Sequence, residues 1–220
     1  MDIYCFVDGG HLRAIARETG RALPNPRQLA VMISYSGLVQ AWKTSQPHAK
    51  PKGFLQVPAH ERLYGLSRIV YYDAMPDDGP SPAIQEYWNT IELLPDTQTG
   101  FGALRGKRKR QKRVDSLLAV DMLTGATDGL YRIGILIGAD ADFVPVVEAV
   151  RRRGAMVVVA AKEASLAEDL RRAADRVWFI EPEREAAEFP ALSRPGGGYW
   201  FEDASGNVTV REQLSPGTSA

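Results

Sequence analysis

Residues 133 to 143 read Ile133-Gly134-Ile135-Leu136-Ile137-Gly138-Ala139-Asp140-Ala141-Asp142-Phe143. An apolar run rich in β-branched residues stops abruptly at Gly-Ala-Asp-Ala-Asp. A helix-like segment, Phe143 to Arg153, follows. A short apolar run bounded by such a turn reads as a buried parallel strand. The two aspartates therefore fall where the strand hands over to the helix. In an open α/β sheet that carboxyl edge is where ligands bind.

Working outward, the same pattern recurs. Ile3 to Val7 is a short buried strand whose next residue is Asp8, and Gly9 and Gly10 let the chain turn tightly into a helix over Leu12 to Glu18. Arg27 to Trp42 has helical periodicity broken at Gly37, and Pro47 to Pro58 reads as a surface loop. Leu66 to Tyr72 is a second buried strand ending at Asp73. The turn Asp77 to Pro82 leads, through Ser81 or the turn before it, into a helix over Pro82 to Leu94, with proline early, where no amide donor is lost. Phe101 to Arg105 is a short strand. Val114 to Ala126 is a helix with an apolar stripe of Val114, Leu117, Leu118 and Met122. Val157 to Ala161 is a strand, Leu166 to Ala174 a helix and Val177 to Ile180 a last strand.

Strands alternating with helices imply an α/β fold: a central, mostly parallel sheet with helices on both faces. Right-handed crossovers then gather the carboxyl ends of the strands on one edge. The charged run Glu181 to Glu188 and the segment Arg194-Pro195-Gly196-Gly197-Gly198 mark a boundary. The chain divides into a domain over residues 1–181 and a C-terminal extension over 182–220, in which Tyr199 to Phe201 and Asn207 to Val210 form a small hairpin.

Composition narrows the function classes. With 45% hydrophobic and 25% charged residues, a chain of 220 can bury a core and stay soluble. A formal net charge of zero argues against a generally basic coat but allows a local basic patch. The single cysteine, Cys5, lies in an apolar run, which excludes an internal disulfide and suggests a reducing compartment. No apolar run approaches the ~20 residues of a membrane span, and no signal-peptide pattern opens the chain, so the expected location is the cytoplasm, away from the membrane. Three histidines and one cysteine form no zinc-ligand spacing, so any metal would be a hard one held by carboxylates.

Four such carboxylates fall where this fold gathers residues. Asp8 follows the first strand, Asp140 and Asp142 follow the strand quoted above, and Asp115 lies in the first turn of the helix preceding that strand. Each also has a plain structural reading: Asp8 and Asp142 as helix caps, Asp140 as a turn residue, Asp115 as a helix N-terminal charge. Jointly these readings weaken, because converging carboxylates repel one another unless a cation sits between them. Oxygen-only ligands suit Mg²⁺ or Mn²⁺. Immediately before Asp115, residues 105–113 read R-G-K-R-K-R-Q-K-R, seven basic residues in nine. Lys107, Arg108, Lys109, Arg110, Lys112 and Arg113 are candidates to hold phosphates at the rim of the acidic pocket. The plain reading of the run is a solvated loop or a sorting signal. Tyr71, Tyr72 and Trp88 are expected in the core rather than stacked on bases.

These motifs, taken in order, resemble the NYN domain of the PIN-like superfamily, in its LabA-like branch of bacterial proteins. F-V-D-G-G-H-L resembles the family's opening motif, R-I-V-Y-Y-D its second strand and K-R-V-D-S-L-L-A-V-D-M-L its acidic helix. I-L-I-G-A-D-A-D-F-V-P-V-V-E-A-V-R-R-R-G resembles its aspartate turn with the helix after it, and L-R-R-A-A-D-R-V its closing segment. The resemblance implies a PIN-like three-layer α/β sandwich over roughly Ile3 to Ile180 and a metal-dependent ribonuclease. Carried over residue by residue, it implies Asp8, Asp115, Asp140 and Asp142 as the catalytic, metal-holding positions. Asp121 matches a recurrent helix acid. At six residues past Asp115 it is turned about 240° round the helix, away from that pocket, and is expected to partner a basic residue. Two positions depart from the pattern: His11 replaces the usual asparagine, with a role in orienting water or phosphate, and alanine replaces the serine beside the aspartates, at Ala139 to Ala141.

The expected function is hydrolysis of RNA phosphodiester bonds, with single-stranded RNA as substrate and Mg²⁺ or Mn²⁺ as cofactor, through metal-activated water. The alternative is a non-catalytic RNA-binding or regulatory module of the same fold. A third reading is a small phosphatase or nucleotide hydrolase, against which the seven-cation run counts mildly. The C-terminal extension is the candidate contact for a homo-oligomer or a protein partner.

Overall fold

The computed structural model describes residues 2–19, 26–27, 29–31, 33–34, 65–75, 79–103, 110–181, 199–202 and 208–211. Six strands form one sheet: β1 (Ile3–Asp8), β2 (Leu66–Met75), β3 (Thr97–Ala103), β4 (Ile133–Ile137), β5 (Met156–Ala161) and β6 (Arg176–Phe179). Their order is β3-β2-β1-β4-β5-β6, and every neighbouring pair is parallel. The fold is α/β, as expected. A separate antiparallel pair, β7 (Tyr199–Glu202) and β8 (Val208–Arg211), lies in the C-terminal segment.

Helices α1 (Gly9–Thr19) and α2 (Pro82–Glu92) cover one face; α3 (Arg110–Thr127), α4 (Val144–Arg152) and α5 (Glu168–Ala173) cover the other. Strand alternation feeds both layers. Cys5, Val7, Ile69 and Tyr71 pack with Leu12, Ile15 and Trp88. Phe6, Val70, Tyr72 and Leu136 pack with Val114, Leu118, Met122 and Val147. Pro26, Arg27, Leu29–Val31, Ile33 and Ser34 are also helical; the rest of the expected helix to Trp42, with the loop Pro47 to Pro58, lies outside the described residues. No helix among the described residues is long and apolar enough to cross a membrane.

Several local expectations shift. Gly9 and Gly10 begin α1 rather than forming a turn ahead of it. Gly9 is required by packing: a Cβ there would overlap the Tyr71 phenol and stand 2.9 Å from the Tyr72 carbonyl. β2 runs on through Asp73 to Met75, and α3 starts four residues earlier than its apolar stripe, at Arg110. Leu117 is 41% exposed and falls outside that stripe, while Val114, Leu118 and Met122 are buried. Ser81 caps α2 by accepting from the Ile84 N–H at 3.3 Å, with Pro82 at the start, as the sequence pattern implies.

The strand order fixes where a site can form. β1 leads through α1 to β2 and through α2 to β3, both steps on one side of β1. α3 then carries the chain back to β4, on the other side. The order therefore reverses between β1 and β4, and the carboxyl ends of these two strands are where such a sheet takes a ligand. Right-handed crossovers in opposite directions must use opposite faces, which is why α3 changes layers.

Candidate acidic site at the sheet switch point

Asp8 is the last residue of β1, and Asp140 follows β4 across the switch point. Phe6 and Val7 pack on opposite layers, so period-two alternation aims Asp8 to the α3 side. Asp115 meets it from above, on the helix that makes the crossover. It sits in the second turn of α3, whose first turn holds no acid, so it does not serve as a helix N-terminal charge.

Asp8 and Asp115 are only 8% and 9% exposed. Burial pushes the Asp8 carboxyl up to about 6; the His11 N–H opposes that shift and the charge of Asp73 adds to it. Burial also pushes Asp115 up to about 7, and the charges of Asp8, Asp140 and Asp142 each raise it further. All four expected acids therefore share one electrostatic neighbourhood, centred on Asp115. A buried carboxylate raised further by three neighbouring ones is the pattern a cation relieves.

Capping explains part of this arrangement. The His11 N–H donates to Asp8 Oδ1 at 3.1 Å, which makes Asp8 the cap of α1 as well as a member of the cluster. Asp140 caps the short 3₁₀ turn Ala141–Phe143, accepting from the Asp142 N–H at 2.9 Å. Asp142 does not cap α4; the residue in that position is Phe143, which makes no side-chain cap bond. Asp140 and Asp142 are both exposed.

His11 contributes through its backbone rather than its ring. Burial lowers the imidazole to about 4, so it is neutral at pH 7, and its buried Nε2 has no hydrogen-bond partner among the described residues. It is no phosphate-binding cation. Asp121 stands apart from the cluster, as its position on the helix implies. Its partner is the Tyr72 hydroxyl, which donates to Oδ2 at 2.6 Å, instead of a basic side chain.

A second buried acid carried no assigned role in the sequence. Asp73 is 0% exposed. It accepts from Arg13 Nη2 at 2.6 Å, the Ala74 N–H at 2.8 Å, Trp88 Nε1 at 3.1 Å and the Tyr71 hydroxyl at 3.2 Å. Burial raises its pKa, and Arg13 and Trp88 are the largest opposing influences. Asp73 repeats the strand-then-acid pattern of Asp8 and closes the motif R-I-V-Y-Y-D, and these are the signals the sequence carries for it.

Against this geometry, a family model for the NYN domain matches residues 5–181. The chain belongs to the NYN domain family. The NYN domain is a PIN-like nuclease fold. A crystal structure of a Vibrio parahaemolyticus protein of unknown function is similar, at 15% identity and a TM-score of 0.56, over 82% of this chain and 93% of that one. At that identity the likeness bears on the fold alone. A comparison with curated proteins found no match.

The donor set of this NYN domain fits a hard divalent cation by its chemistry: carboxylate oxygens only, two of them buried and electrostatically strained. Among the described residues no three His, Cys, Asp or Glu side chains already converge at ligand spacing. The acids are thus close enough to perturb one another and are not closed on a common point. Of the basic run, Lys107, Arg108 and Lys109 lie outside the described residues. Arg110, Lys112 and Arg113 are placed as backbone in the first turn of α3.

Proposed function

We propose that this NYN domain is a divalent-metal-dependent ribonuclease of the LabA-like branch, with residues 1–181 as the nuclease domain and 182–220 as an appended segment. The observation that carries the reading is the gathering of Asp8, Asp115, Asp140 and Asp142 at the sheet's switch point, where burial raises the Asp115 carboxyl and the other three charges raise it further. Structural caps alone do not require four acids to face one another.

Asp8, Asp115, Asp140 and Asp142 would hold Mg²⁺ or Mn²⁺. When bound, the cation supplies Lewis-acid stabilisation of the phosphoryl charge and lowers the pKa of water. The chain's own residues do the rest. The His11 N–H holds the Asp8 carboxylate in place, and the Asp142 N–H holds that of Asp140. Water adds to phosphorus and one P–O ester bond breaks, so no protein nucleophile is needed. Cys5 is fully buried and its thiol is pushed up by burial, which removes it as a candidate. Lys107 to Arg113 precede Asp115 closely in the sequence, and they would hold the backbone of single-stranded RNA.

The test is cleavage of a labelled single-stranded RNA with Mn²⁺ or Mg²⁺, beside EDTA and beside Asp140→Asn. Metal-dependent cleavage that the variant lacks is the expected result. One observation favours a second reading, a non-catalytic RNA-binding module: the acids do not converge at ligand spacing. Under that reading RNA binds without cleavage, and neutralising Lys107 to Lys112 weakens binding whatever the metal concentration.

A further inference from the structure

Asp8, which ends β1, and Asp73, inside the neighbouring strand β2, point to opposite sides of the sheet. Asp8 pairs in register with Tyr72, so Asp73 stands one residue further along the adjacent strand. Asp8 faces α3 and its cluster of acids. Asp73 faces α1 and α2, enclosed by Arg13, Tyr71 and Trp88. A carboxylate with no exposed surface is costly to keep charged, and apolar side chains of similar volume would fill the same space more cheaply. Such a group is best understood by what it orients.

The arrangement is specific. Arg13 lies on α1, four residues beyond Gly9, and the first turn of that helix supplies the N–H that holds Asp8. Tyr71 donates to Asp73 and also packs against Gly9, where no Cβ could be accommodated. Trp88 donates from α2 to the same oxygen, Oδ2, that Tyr71 reaches, and Arg13 holds Oδ1. The start of α1 is therefore held at two points, by the ion pair at Arg13 and by the phenol under Gly9, both anchored on one carboxylate.

We infer that Asp73 and Arg13 form a positioning pair for the acidic site: anchored beneath the sheet, they hold the first turn of α1 so that Asp8 presents its carboxylate to Asp115, Asp140 and Asp142. Neither touches substrate. The inference rests on the nuclease reading and adds to it two residues outside the cluster.

The test replaces the charged pair by a neutral, still hydrogen-bonding one, Asp73→Asn with Arg13→Gln, and compares it with each single variant and with Arg13→Lys. Steady-state RNA cleavage and calorimetric titration with Mn²⁺ alone are measured well below each protein's Tm. The expected result is a kcat lower by about 10- to 100-fold in the double variant, with KM for RNA nearly unchanged, because Asp8 is misplaced rather than removed. Mn²⁺ affinity falls in parallel, and Arg13→Lys retains part of both. A folded double variant with wild-type kcat and Mn²⁺ affinity overturns the inference and leaves the pair a purely structural one. Loss in Asp73→Asn as deep as in Asp140→Asn, with Arg13→Gln unaffected, also overturns it, by making Asp73 a member of the site. A wild-type protein that neither binds Mn²⁺ nor cleaves RNA defeats the nuclease reading itself, and the positioning role with it.

Discussion

The side chain of Asp140 accepts the backbone N–H of Asp142 at 2.9 Å, so one acid of the β4 turn sets the conformation that presents the other. Cap and charge can be separated by substitution. Asparagine is as good a cap as aspartate, whereas alanine cannot accept the bond. Asp140→Asn is expected to keep the wild-type Tm and lose cleavage by at least about 100-fold, on the scale of losing a group that acts in the transition state. Asp140→Ala should lose the same activity and about 1 kcal/mol of stability as well. Denaturant titration beside the cleavage assay distinguishes them, and full activity in Asp140→Asn would remove this residue from the site.

The acidic cluster predicts an inverted pH dependence of stability. Asp8 and Asp115 rise from 3.8 to about 6 and about 7 on folding. The folded state therefore binds their protons more tightly than the unfolded state does. Their contribution is most favourable below about pH 4 and is lost as pH rises through 6 and 7. Asp115→Asn should accordingly raise the Tm of metal-free protein more at about pH 8 than at about pH 4.5. His11 acts with the opposite sign: its pKa is lowered, so its contribution is present above the usual histidine range and lost as pH falls toward 4. Equal Tm gains for Asp115→Asn at both pH values would mean that Asp115 carries no such strain.

Metal should reverse that penalty. A cation that binds only the folded state stabilises it by RT ln(1 + [L]/Kd), about 2.7 kcal/mol at a hundred times Kd. Mn²⁺ is expected to raise the Tm of wild type at neutral pH, EDTA to return it, and Asp8→Asn to abolish the response. A wild-type Tm indifferent to Mn²⁺ would count against a cation site at these acids.

Gly9→Ala tests the junction of β1 and α1. The new methyl would meet the Tyr71 phenol and the Tyr72 carbonyl, and backbone cannot swing aside as a side-chain end can. Overpacking of this kind costs about 1–3 kcal/mol. Combining it with Tyr71→Phe should recover part of the loss, since the phenol oxygen is the nearest obstruction. No loss in the single variant, read by chemical denaturation, would show that the first turn of α1 can shift freely.

Tyr72→Phe separates Asp121 from the site. It removes the 2.6 Å hydrogen bond to Asp121 and should cost about 1 kcal/mol, the usual net value of such a bond. RNA cleavage should be unchanged, because Asp121 faces Tyr72 and is not among the charges that raise Asp115. A marked fall in kcat would place Asp121 in the catalytic machinery.

What the sequence by itself determined was the set of strands and the acids at their ends. Apolar runs closing on Asp8 and on Asp140-Ala141-Asp142 announce buried parallel strands with carboxylates at the binding edge, because periodicity and turn chemistry are local properties. Segment limits moved by up to four residues, at the start of β3 and at the start of α3, whose basic first turn has no apolar periodicity to reveal it. The tertiary structure decided which face of the sheet each strand acid takes and which partner it meets. Asp8 and Asp73 look alike along the chain, each an acid closing an apolar strand. Their side chains leave the sheet on opposite faces, one toward the crossover helix α3 and one toward α1 and α2. Asp115 and Asp121 lie six residues apart on one helix, yet one answers to the charges of the β4 turn and the other to a tyrosine. Sidedness depends on strand register, crossover hand and the layer each helix occupies, and these are long-range relations that no short stretch of sequence encodes.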